Sequence, residues 1–140
     1  MKLKQAAALL LAAALAGSAW AQSARGAAAT DRDYLRGLAY RNGSDGLPRD
    51  AALAARSLTQ AAERGVPAAM FILSHMLAEG EGVPRDAAAS RRWLEMAAQA
   101  EYPEALQEMA MTERDPERAA ELVREAAHAM QHRAHESHHD

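Results

Sequence analysis

The stretch "EGEGVPRDAAASRRWLEMAAQA", residues 79–100, is preceded by a near copy of itself, "GSDGLPRDAALAARSLTQAA", residues 43–62. In each, glycines lead into Pro-Arg-Asp and then into an Ala-rich run ending in Ala-Ala. Pro48, Arg49 and Asp50 recur as Pro84, Arg85 and Asp86, Leu58 as Leu94, Ala61-Ala62 as Ala97-Ala98, and Val66-Pro67 as Tyr102-Pro103, a period of 36. Upstream of the loop the offset becomes 37, because "GSDG" is one residue longer than "GEG", and Tyr40 then matches Leu77. A period of this length marks stacked helical hairpins, in which one hairpin's apolar face is covered only by the next.

Composition agrees. The 140 residues are 49% hydrophobic but only 4% aromatic, with Ala dominant, so the helices are thin and able to approach closely. Punctuation predicts six helices in three pairs, over residues 31–42 and 49–64, 67–79 and 85–100, 103–113 and 116–135. Gly43, Gly46, Gly80 and Gly82 suit the inner turns, and Gly65 suits the end of the second helix. Pro67, Pro103 and Pro116 suit helix starts, with Asp115 as an N-cap.

The second repeat, "AMFILSHMLAEGEGVPRDAAASRRWLEMAAQAEYPEA", resembles a Sel1-like repeat, a relative of the tetratricopeptide repeat. Ala69, Leu73, Ser74, Leu77, Gly80, Gly82, Val83, Asp86, Trp93, Ala97 and Ala98 stand at the positions of that pattern, Ser74 and Leu77 replacing the usual Gly and Tyr. The first repeat matches at Gly37, Tyr40, Gly43, Gly46, Asp50, Ala61, Ala62 and Gly65, and departs at Arg36 and Ser57, where large apolar residues are usual. The third keeps Ala105, Met109, Ala110, Leu122, Ala126 and Ala127 but lacks the glycine loop. The likeness covers residues 31–130. It implies an all-α fold, a short right-handed α-solenoid of about three antiparallel helix pairs.

The expected organisation is a signal peptide at 1–21, a flexible linker at 22–30, repeats at 31–66 and 67–102, a degenerate third pair or cap at 103–134, and a His-rich tail at 135–140. The first segment has two lysines, a short apolar core, and Ala19 and Ala21 at signal-peptidase positions, so cleavage is expected after Ala21. The expected destination is the bacterial periplasm or the exterior. No membrane-length apolar run follows that segment. Its removal takes away Lys2 and Lys4 and leaves 14 basic against 19 acidic residues, a formal charge of −5. Such a chain carries no basic patch for nucleic acid. With no cysteine, packing alone must stabilise it.

The family resemblance implies a non-enzymatic adaptor whose inner face, lined by the first helix of each pair, holds another protein or peptide. Leu35, Ile72 and His75 are the candidate contacts, while Leu38 and Met76 read as core. Arg36, at a usually apolar position, either pairs with an acid or extends its head to water. Gly37, Tyr40, Leu73, Leu77, Gly80, Gly82, Trp93, Ala97 and Ala98 are the structural set, Trp93 being expected to fill the gap between pairs as a buried aromatic.

The C-terminal stretch "HAMQHRAHESHHD" carries a second pattern. At 100° per residue, His128, His132, His135 and His139 share one arc, and Val123, Ala127, Met130 and Ala134 the opposite one, so the histidines are expected to form a solvent stripe away from an apolar stripe. Histidines at i and i+4 suit a transition metal, so capture of zinc, copper or nickel is the alternative to the adaptor; a solubilising tail with incidental His is the plainer reading, and a pH-responsive interaction helix a third. No other cofactor is implied. Residues 135–139 formally spell the zinc-protease pattern His-Glu-x-x-His, but a terminal turn offers neither a cleft nor a third ligand, and no other catalytic signature is present.

Overall fold

A computed structural model describes residues 32–136. The expected signal peptide and linker, and His139 with the end of the tail, lie outside the described residues. Helix α1 covers residues 32–42, followed by α2 (Ala51–Glu63), α3 (Pro67–Glu79), α4 (Ala87–Gln99), α5 (Pro103–Thr112) and α6 (Pro116–Glu136). Among the described residues there are six helices and no strand, an all-α repeat fold.

The sequence repeat is also a repeat of hydrogen bonds. Asp50 N–H donates to the Tyr40 carbonyl at 2.8 Å, and Asp86 N–H to the Leu77 carbonyl at 2.9 Å. Val66 N–H reaches Ala61 at 3.1 Å, and Tyr102 N–H reaches Ala97 at 3.0 Å. α1 and α3 close with the same backbone pattern, Ser44 N–H to Ala39 O at 3.0 Å and Glu81 N–H to Met76 O at 2.9 Å, with Gly43 and Gly80 left-handed at φ of +70° and +74°.

α2 and α4 begin two residues later than expected. Asp50 and Asp86 are extended and cap the helices rather than entering them, each carboxylate accepting from the backbone N–H three residues on (Leu53 and Ala89) at 2.9 Å. The third pair lacks this loop. Instead, the Glu113 carboxylate accepts from Arg114 and Asp115 N–H at 2.7 and 3.1 Å, and Asp115 accepts from Glu117 N–H at 3.0 Å. These bonds stabilise a short turn with no left-handed glycine.

Consecutive helices pack on one another from α2 through α6. Ala54, Ala55, Leu58, Ala61 and Ala62 of α2, Ala69, Met70, Leu73 and Met76 of α3, Ala97 and Ala98 of α4, Ala105 and Leu106 of α5, and Leu122 and Ala126 of α6 form one buried cluster. The alanines bring the backbones together, and Leu58, Leu73, Met76 and Leu122 fill the remaining space.

Two expectations about packing need correction. Trp93 is half-buried, packed against the cluster rather than fully enclosed in it. An indole is too large to be wrapped fully by thin, Ala-rich helices. In α6 the buried stripe is Leu122 and Ala126, with Ala119 and Ala129 half-buried beside them, whereas Val123 is 56% exposed and Ala127, Met130 and Ala134 are also on the exposed side. Val123 and Ala127 are the counterparts of Leu94 and Ala98, which the next helix covers. α6 has no next helix among the described residues.

Candidate interaction surface

The first helices of the three pairs, α1, α3 and α5, carry the candidate contacts. Leu35 on α1 is 60% exposed, a large apolar side chain left in water. Ile72 holds the same repeat position on α3 and is half-buried, packed against the core. His75, one helical turn along α3, is part-exposed but engaged: its Nε2 lies 2.9 Å from Glu108 Oε2 on α5. Its ring meets Phe71 edge-on, with centroids 4.8 Å apart, and Phe71 in turn leans on Tyr102 at 5.4 Å. His75 therefore ties α3 to α5 while presenting part of its ring. Leu38 is half-buried, Met76 is fully buried, and Arg36 is exposed.

Phe71 and Glu108 escaped the sequence reading. Their signal was periodic: Phe71 precedes His75 by four residues and so shares its helix face, and Glu108 is the α5 counterpart of Ile72, one turn from the level of His75.

The structural set is spread through the stack. Leu73, Ala97 and Ala98 are buried, and Tyr40 and Leu77 are half-buried. Gly37 is buried where α1 crosses α2; a Cβ there would stand 2.7 Å from Leu58 Cγ. Gly82, at φ +69°, lets the second loop lie on the first turn of α2, where a Cβ would overlap the Ala51 carbonyl. Gly80 supplies the left-handed end of α3.

A bidentate pair fixes the same loop to α1. Arg41 Nε and Nη2 donate to the two Glu81 carboxylate oxygens at 3.3 and 3.0 Å. Arg41, Asn42, Arg49, Glu79 and Glu81 line a polar hollow of about 640 Å³ at this edge. Farther along, Arg133 of α6 makes a second bidentate pair with Glu104 at 2.9 and 2.8 Å, and its guanidinium lies 5.2 Å from the Tyr102 ring centroid. The hydrogen bond from Arg133 holds the Glu104 carboxyl below its ordinary range. Burial, then the Glu104 charge, pushes the Tyr102 phenol up. α6 is thus tied to the start of α5 by charge as well as packing.

His128, His132 and His135 are exposed on α6, away from its buried stripe. His128 Nε2 and His132 Nε2 stand 3.1 Å apart, and no group of three or more metal-ligating side chains occurs among the described residues. Among the described residues, the buried polar side chains are Ser57 and Ser74. The latter replaces the repeat's glycine, and its Oγ donates to the Phe71 carbonyl at 2.6 Å.

The family model of the Sel1 repeat matches residues 33–66, 67–102 and 107–129. Among solved structures, a Sel1 repeat protein from Oxalobacter formigenes superposes with a TM-score of 0.67 at 26% identity, over 71% of this chain and 43% of that one. A protective antigen present in uropathogenic Escherichia coli strains, described as displaying an SLR fold, superposes with a TM-score of 0.63 at 35% identity, over 71% of this chain and 22% of that one. The chain therefore spans less than half the length of either protein. No curated protein matched it.

Proposed function

This chain belongs to the Sel1 repeat family, and we propose from that premise that it is a non-enzymatic scaffold holding another protein or peptide against α1, α3 and α5. Sel1 repeats commonly bind proteins. The observation that carries the reading here is Leu35, which leaves 60% of its surface in water at the repeat position where Ile72 is half-buried one pair later. A large apolar side chain exposed on a helix is the kind of anchor that a partner's apolar side chain can cover.

The scaffold acts outside the cytoplasm in this reading, in the periplasm or beyond. Support comes from Met1–Ala21, with its lysines, its short apolar core and the Ala19 and Ala21 cleavage pattern. Among the described residues no helix is long and apolar enough to cross a membrane.

The test is comparative capture from a periplasmic extract. Immobilised wild type and the Leu35→Glu, Ile72→Glu double variant are compared after circular dichroism shows equal helicity. A protein retained by wild type and lost from the folded variant supports the inner-face assignment. Equal retention by both refutes it.

A further inference from the structure

We propose that His128 and His132 form a two-imidazole chelate for a divalent transition metal, with water completing the coordination. The two residues are one turn apart on α6, both exposed, with ring centroids 4.4 Å apart and ring planes at 78°. Their Nε2 atoms converge to 3.1 Å. With metal–nitrogen bonds of about 2.0–2.1 Å, a tetrahedral ion needs its two nitrogens about 3.3 Å apart and a square-planar ion about 2.9 Å. The observed separation lies between the two, so either geometry is reached by small ring rotations.

The pair lies inside an anchored part of the helix. Ala129, between the two histidines, is half-buried against the core. Arg133, the residue after His132, is held by both Glu104 oxygens. The histidines thus belong to a docked segment, which limits the ordering cost of binding.

Without metal, one ring donates Nε2–H to the lone pair on the other. Chelation needs both Nε2 lone pairs, so the donor ring moves its proton to Nδ1 through solvent and remains neutral. With no three-residue cluster among the described residues, the site is two-coordinate from protein and open. Imidazole pairs of this kind favour copper over nickel and zinc.

The experiment is a titration of the purified chain with Zn²⁺ and Cu²⁺, followed by calorimetry and by ¹⁵N NMR of the histidine rings. Wild type should take up one metal ion, with both the His128 and His132 rings passing to the Nδ1–H form. His128→Gln and His132→Gln should each weaken binding by at least about tenfold, about 1.4 kcal/mol. His135→Gln and removal of residues 137–140 should each leave affinity within about twofold of wild type. His128, His132 and His135 are exposed, and circular dichroism verifies the fold of all four variants. Wild-type affinity in His132→Gln, loss of binding on removing 137–140, or no uptake by wild type would each overturn the proposal.

Discussion

Glu101 occupies, one repeat on, the backbone position that Gly65 holds: φ is +97° at Gly65 and +56° at Glu101. Both donate the same turn-closing bond, Gly65 N–H to Ala62 O at 3.0 Å and Glu101 N–H to Ala98 O at 2.9 Å. The chain must turn left-handed here to bring α5 onto α4, and at Glu101 it does so with a side chain attached. The left-handed region costs a residue with a Cβ roughly 1–2 kcal/mol.

Glu101→Gly should therefore stabilise the protein by up to about 1.5 kcal/mol, the strain relieved less the extra entropy of an unfolded glycine. Gly65→Ala should destabilise it. Urea midpoints of the two variants, moving in opposite directions, are the readout.

Gly37→Ala tests the crossing of α1 over α2. The added methyl would stand 2.7 Å from Leu58 Cγ and 2.9 Å from its Cδ2, and Leu58 is fully buried and has nowhere to turn. Alanine's better helix propensity recovers up to about 1 kcal/mol, whereas overpacking costs about 1–3 kcal/mol. A net loss is expected, and it should shrink in a Leu58→Ala background, as a double-mutant cycle by urea denaturation would measure.

Trp93→Ala should cost less than a buried aromatic would. A fully buried Trp loses about 3–5 kcal/mol on truncation, but Trp93 keeps part of its surface in water, so about 1–2 kcal/mol is expected. Leu58→Ala, at 0% exposure, should cost about 2–5 kcal/mol. Thermal melts by circular dichroism should rank Leu58→Ala below Trp93→Ala.

The Glu104–Arg133 pair predicts a contribution to acid sensitivity. Arg133 lowers the Glu104 pKa in the folded chain, so the pair's contribution is present above the ordinary carboxylate range and is lost as pH falls through the folded-state pKa. Between about pH 5 and pH 3 wild type should lose more stability than Glu104→Gln. The effect is small, because both side chains are partly exposed and solvent screens them. Urea midpoints of the two proteins across that window, followed to see whether they converge, check it.

Much of this architecture was legible from Pro-Arg-Asp and Ala-Ala recurring at 36 residues, because the loops and the close helix contacts obey local rules. The starts of α2 and α4 lie two residues later than read, because an Asp before an Ala run serves equally well in sequence as a cap or a first-turn residue. The apolar face of α6 was misassigned for a deeper reason. Val123, Ala127 and Met130 have helical spacing, but the burial of a helix in a stack depends on which neighbours exist, and α6 has one on only one side among the described residues. The His75–Glu108 contact joins residues 33 apart, and periodicity brings them near without specifying that they pair.

The inner-face account is tested most directly by site-specific photo-crosslinking in the periplasm. A photoreactive residue replaces Leu35 on α1 in one strain and Arg56, exposed on α2, in another. The account predicts a discrete adduct with one partner protein from position 35 and none from position 56. The same adduct from position 56, or no adduct from position 35 in a folded, exported chain, would contradict it.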